Sequence, residues 1–229
     1  MPLRFPTPSP YCAALLLFVV GRAAATEVAL AVSFERNCPP DVVKSLKAEV
    51  QRVMKGAGLR IQWVPYEKST HKTFQQRLVV VRFRGGCEIP RDRMPGSRSP
   101  ILGSTHVSDG AILPFVDVYC SRVARVLPIE IECQPFYARL VTLGRALGRV
   151  VAHELFHVFG RTQKHGSWGL AQRILSGPAL TEPSAWFEKP DLELIRRGLG
   201  TRSAVSVDSA KGTASRKCLN SAGAVGSAR

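Results

Sequence analysis

Residues 136–159 carry the longest helical period in the chain, with Phe136, Leu140, Leu143, Leu147, Val151, Leu155 and Val158 stepping by three or four. Val150, Ala152, Phe156 and Phe159 fill the remaining faces, so the second half of this segment is apolar nearly all round. A helix of that kind lies buried. From Val150 to Phe159 three polar side chains interrupt it: His153, Glu154 and His157. Burying two imidazoles and a carboxylate costs free energy unless something satisfies them.

The spacing of those three residues suggests what does. His153-Glu154-Leu155-Phe156-His157 puts two histidines four apart, on one helix face and one turn from each other. Their ring nitrogens can reach a single metal ion at about 2.0–2.1 Å. Glu154, beside the first histidine, is placed where a carboxylate can take a proton from metal-bound water. A catalytic zinc site needs a third protein ligand and keeps a fourth position for water. His165 lies eight residues beyond His157, and on a continuing helix it would be about 12 Å further along the axis. Gly160 can take the left-handed conformation that ends a helix, which would let the segment to His165 fold back beneath the metal.

Around this segment the chain reads as one α+β domain. Residues 27–34 alternate and are β-rich, and Pro39-Pro40-Asp41 opens a helix that Gly56 and Gly58 stop. Residues 59–64 and 77–83 are two further strands. Residues 85–100 form a Gly/Pro-rich exposed loop, and Asp109-Gly110 is a hairpin turn within 101–119. A shorter helix spans 190–199. This order predicts a mixed, twisted sheet packed by helices, with residues 111–119 as its edge above the cleft.

The ends read differently. Arg4, the apolar run at 13–20 and Ala23-Ala24-Ala25 form a secretory signal, residues 1–25, cleaved after Ala25. The domain then spans 26–200. Residues 201–229, rich in Ser, Ala and Gly without an apolar period, are a disordered tail. Export makes disulfides the default for Cys38, Cys87, Cys120, Cys133 and Cys218; the odd count leaves one thiol over, and Cys218, in the tail, is the one expected to be unpaired. The secreted or periplasmic product is expected to be a monomer with no stable membrane insertion after signal cleavage.

Composition narrows function further. Apolar residues at 45% exclude a wholly disordered chain, and the absence of a run of 18 apolar residues excludes a multi-span membrane protein. The charge of +15 falls to +13 once Arg4 and Arg22 leave with the signal. It invites an anionic partner, yet no basic run reaches five residues. Scattered charge of this sort is a solvated surface, and no specific nucleic-acid partner is expected.

The stretch HELFHVFGRTQKH resembles the zincin metallopeptidases, and more narrowly the metzincin pattern His-Glu-x-x-His-x-x-Gly-x-x-His. His153, Glu154, His157 and Gly160 match it. The family's third histidine falls on Gln163, so the resemblance implies His165 as ligand through a two-residue insertion. Metzincins also carry a methionine turn below the metal, but the last methionine here is Met94. Residues 166–172 are placed to occupy that turn without one. Glu182 is a competing ligand in the gluzincin layout, although Pro183 disfavours a helix there. His106 reads as a strand-end surface residue. Cys87 faintly resembles a zymogen thiol switch, with a disulfide the preferred reading. The resemblance thus implies an exported zinc-dependent metalloendopeptidase with Zn2+ on His153, His157 and His165, Glu154 as general base, and a peptide or protein substrate. The alternatives are metal binding without catalysis and a polyanion- or surface-binding protein.

Overall fold

The computed structural model describes residues 25–68, 77–89 and 100–200. Five strands form one sheet: β1 (Thr26–Phe34), β2 (Leu59–Pro65), β3 (Arg77–Arg84), β4 (Gly103–Ser108) and β5 (Ala111–Tyr119). Their order across the sheet is β2-β1-β3-β5-β4. The first four in that order run parallel, and β4 pairs antiparallel with β5. β4 is therefore the edge strand on the cleft side, and β5 lies inside the sheet. The expectation that residues 111–119 form the edge is corrected. The Asp109-Gly110 turn, with φ of 50° and 77°, sends β5 back between β4 and β3. Pro114, which has no N–H to give a ladder, falls where the β4–β5 register shifts.

Helix α1 (Pro40–Lys55) and helix α3 (Phe136–Gly160) cover one face of the sheet. α1 faces the core with Val42, Leu46, Val50, Val53 and Met54. On α3 every residue from Ala146 to His157 is buried, as its apolar circumference predicts. The two helices approach closely because α3 has glycines one turn apart. A side chain at Gly148 would meet the Glu49 Cβ and the Leu46 carbonyl at 2.9 Å, and one at Gly144 would run into the Val42 carbonyl.

A charged pair is sealed between these helices. Arg149 is fully buried and donates from Nε to Glu49 Oε1 at 2.8 Å. Arg52 also holds Glu49, through 2.8 Å bonds to both of its oxygens. Burial pushes the Glu49 carboxyl up, but the two arginines outweigh it and hold it below its ordinary value. The remaining Arg149 donors reach the carbonyls of Ala179 and Glu182, at the end of α4 (Gly177–Thr181). One guanidinium thus ties three helices together.

Three features were not foreseen from the sequence. α4 is one. Another is α2 (Cys120–Val126), a short helix that starts where β5 ends. The third is the partner of Cys87: this residue, just past the end of β3, forms the expected disulfide, with Cys120. This excludes a thiol switch at Cys87. Cys38 and Cys133 remain free thiols, so Cys218 is not the sole unpaired cysteine expected. Cys38 is buried, which pushes its thiol up to about 11 and leaves it an inert apolar group. Cys218, like the signal, Met94 and residues 201–229, lies outside the described residues. α5 (Lys189–Gly200) closes the domain against α3. Among the described residues, no helix is long and apolar enough to cross a membrane.

Candidate metal centre

The C-terminal half of α3 carries His153, Glu154 and His157 at the bottom of a cavity of about 880 Å3. α3 ends at Gly160, and the left-handed residue that turns the chain is Arg161, with φ 48° and ψ 44°. This corrects the assignment of that role to Gly160. Gly160 has helical geometry and is small for another reason: a Cβ there would crowd Leu194 of α5 at 3.2 Å. The turn itself is as expected. The Arg161 N–H caps the His157 carbonyl, and the chain folds back to bring His165 beside the helix.

The ligand nitrogens of His153, His157 and His165 all lie within 4.8 Å of one another. The His165 ring centroid is 4.8 Å from that of His157 and 5.4 Å from that of His153. His106 and Glu182 stand outside this group. His106 lies on β4 and bonds Asp117 at 2.7 Å, where Arg82 and Arg84 also converge. Glu182 caps α4, and its main-chain carbonyl receives Arg149.

The hydrogen bonds of the two helix histidines fix their tautomers. His153 Nδ1 lies 2.7 Å from the Leu170 carbonyl, and His157 Nδ1 lies 2.7 Å from the Thr162 carbonyl. A carbonyl only accepts, so each Nδ1 carries the proton and each Nε2 presents a lone pair. Those two Nε2 atoms are 3.2 Å apart. Two lone pairs at that separation repel and cannot hydrogen-bond. A tetrahedral ion bound at about 2.0–2.1 Å would instead need its nitrogens about 3.3 Å apart. The donor set therefore fits zinc on the geometry of its own ring nitrogens. Burial also lowers the basicity of all three rings, taking His153 down to about 4, so the imidazoles are neutral and ready to ligate at physiological pH.

The support beneath His153 comes from residues 166–172. The Gly166 N–H donates to the Ala171 carbonyl at 2.8 Å, and the Leu170 N–H donates to the Trp186 carbonyl at 2.9 Å. That double tie aims the Leu170 carbonyl at His153. The Leu170 carbonyl thus supports His153 from a segment that holds no methionine.

Glu154 faces the cavity from the other side of His153 and touches β4. Thr105 Oγ1 donates to its Oε2 at 2.7 Å. Gly103, also on β4, leaves room for it, since a Cβ there would stand 2.6 Å from Glu154 Oε1. Burial raises the carboxyl to about 7, against the Thr105 hydroxyl and main chain, which pull it down. A carboxyl near neutrality can both take and release a proton at physiological pH. Thr105 and Gly103 were not singled out from the sequence. Nothing in a Gly-Ser-Thr run marks it as lying against a glutamate about fifty residues away.

No protein-family model matches the chain, and neither does any curated protein. Among solved structures, the chain is similar to the crystal structure of archaemetzincin from Methanopyrus kandleri. The TM-score is 0.46 and the identity 16%, over 80% of this chain and 99% of that one.

Proposed function

We propose that this chain is an exported zinc-dependent endopeptidase. The observation that carries the reading is the pair of Nε2 lone pairs 3.2 Å apart, with a third imidazole and a buried carboxylate beside them. His153, His157 and His165 are the residues that would hold the ion. Zinc bound there supplies a Lewis acid for a scissile carbonyl and makes a water acidic enough to ionise near neutral pH.

The protein's own groups then have defined tasks. Glu154 takes the proton from the attacking water and delivers it to the departing amine, which matches a carboxyl poised at about 7. Thr105 fixes which Glu154 oxygen faces the cavity by bonding the other one. The β4 edge borders the same cavity through Gly103, Ser104, Thr105 and Val107. It offers an extended peptide main-chain partners by strand addition. The Leu170 and Thr162 carbonyls keep both helix imidazoles in the ligating tautomer.

In this reading residues 1–25 direct export and are removed after Ala25, residues 26–200 are the catalytic domain, and residues 201–229 are a tail. The protein acts as a secreted or periplasmic monomer on peptide or protein substrates. It has no specific nucleic-acid partner and no stable membrane insertion. The test is a matched pair of proteins, each assayed for zinc content and for cleavage of a mixed peptide library. The wild type should bind about one zinc per chain and cleave, and a chelator should abolish cleavage. Glu154→Gln should keep the zinc and lose cleavage. Undiminished cleavage by Glu154→Gln would remove Glu154 as the base. Zinc binding by the wild type without any cleavage would reduce the reading to metal binding alone.

A further inference from the structure

The cavity over the histidines has an asymmetric charge. Among the described residues, apart from Glu154 and the three histidines, its ionisable lining residues are Arg122, Arg125 and Arg173, with no lysine. Among the described residues, none of the three arginines is ion-paired with a carboxylate. Arg122 and Arg125 stand three residues apart on α2, where like charges repel.

Arg122 is also held in place. Its guanidinium carbon lies 4.1 Å from the Tyr119 ring centroid, stacked over the face. Its Nη1 donates to the Ile101 carbonyl at 3.1 Å. Stacking and one hydrogen bond fix the plane of the fork, while its other N–H groups have no partner among the described residues. A planar, immobilised guanidinium matches a carboxylate through two parallel N–H···O bonds. Arg173 also lines the cavity, close enough to His165 to help lower its basicity. The same walls present exposed isoleucines: Ile101, Ile129 and Ile174.

We infer that this cavity selects peptides in which a carboxylate adjoins an apolar side chain, with Arg122 and Arg125 holding the carboxylate and the isoleucines the apolar group. This rests on the peptidase reading and names its substrate class. The carboxylate can belong to an Asp or Glu side chain or to a peptide C-terminus.

The experiment uses the zinc-loaded full chain and a matched set of peptides. They carry Glu, Gln or Lys beside one Leu, and each is made with a free and an amidated C-terminus. Cleavage is measured with the wild type, and binding with Glu154→Gln. The Glu peptide should exceed the Gln peptide about tenfold or more in kcat/KM and in affinity, and the Lys peptide should be poorest. A preference that follows only the free C-terminus would assign the carboxylate to the chain end. Arg122→Gln with Arg125→Gln should bring the Glu peptide down to the level of the Gln peptide. Arg122→Glu with Arg125→Glu should invert the order in favour of Lys.

Net positive charge alone could draw in acidic peptides. Lys44→Gln with Lys55→Gln, on the exposed face of α1, removes the same charge away from the cavity and should leave the preference intact. Equal loss in that control would overturn the inference. So would cleavage with no carboxylate preference, which would leave the peptidase reading standing. Tighter binding of acidic peptides without any cleavage would support the carboxylate site and overturn the peptidase reading. Absence of both would overturn both.

Discussion

At the scale of residues, the account turns on how few side chains must be placed and how tightly neighbours place them. Thr105 is the clearest case, because its hydroxyl contacts Glu154 and not a metal ligand. Thr105→Val should lower kcat about tenfold while zinc stoichiometry stays at one. Activity requires ionised Glu154, so it should fall as the pH drops through that group's pKa. Thr105 lowers that pKa, so the valine variant should show its acid limb at higher pH. An unmoved acid limb would make Thr105 a packing residue only. The histidines give a second prediction. All three are less basic than ordinary histidine, His153 reaching about 4. Loss of zinc on acidification should therefore set in at a lower pH than ordinary histidine ligands would give. His165→Ala should weaken zinc binding by a factor of 10 or more, and Glu182→Ala and His106→Ala should not. His153, Glu154 and His157 were legible as a site because their spacing matches helix geometry. Thr105, Gly103 and the Leu170 carbonyl were not, since each acts through a long-range contact that leaves no local pattern.

At the scale of elements, the helical and strand periods located β1, α1, β2, β3, α3 and α5 to within a residue or two of their observed ends. The Asp109-Gly110 turn placed the β4–β5 hairpin. Strand order was another matter. A hairpin can insert into a sheet with either of its strands at the edge, and local alternation does not distinguish them. α2 and α4 are too short to carry a readable period. The Arg149–Glu49 pair was likewise hidden, because nothing local sets Arg149 apart from the chain's many other basic residues. Its removal is a sharp test. Arg149→Ala leaves Glu49 with Arg52 alone in a buried site and should cost about 3–5 kcal/mol, read by denaturant unfolding. Glu49 has a lowered folded pKa, so its stabilisation is complete above pH 4.5 and is lost as the pH falls through the folded value. Gly148→Ala should cost about 1–3 kcal/mol by forcing α1 and α3 apart. A neutral result would mean that α1 shifts freely, against the close approach described.

At the scale of the whole molecule, the domain is one sheet with a buried histidine-bearing helix, clamped where β3 meets α2. The Cys87–Cys120 bond closes a separation of 33 residues, which corresponds to about 3–4 kcal/mol of stability in the chain-entropy model. Reduction should therefore lower Tm, and the zinc-loaded protein should resist it better than the metal-free one. Zinc at a hundredfold excess over Kd should add about 2.7 kcal/mol. The charge of +15 belongs to this scale too. It arises from arginines and lysines spread along the chain, and only the few that line the cavity bear on the proposed chemistry. The central claim is that His153, His157 and His165 together hold one zinc ion. Zinc K-edge X-ray absorption on the purified full chain tests it most directly. The predicted spectrum has three nitrogen neighbours and one oxygen at about 2.0–2.1 Å, with one nitrogen lost in His165→Ala. A folded chain that takes up no zinc, or a shell containing sulfur at about 2.3 Å, would contradict it.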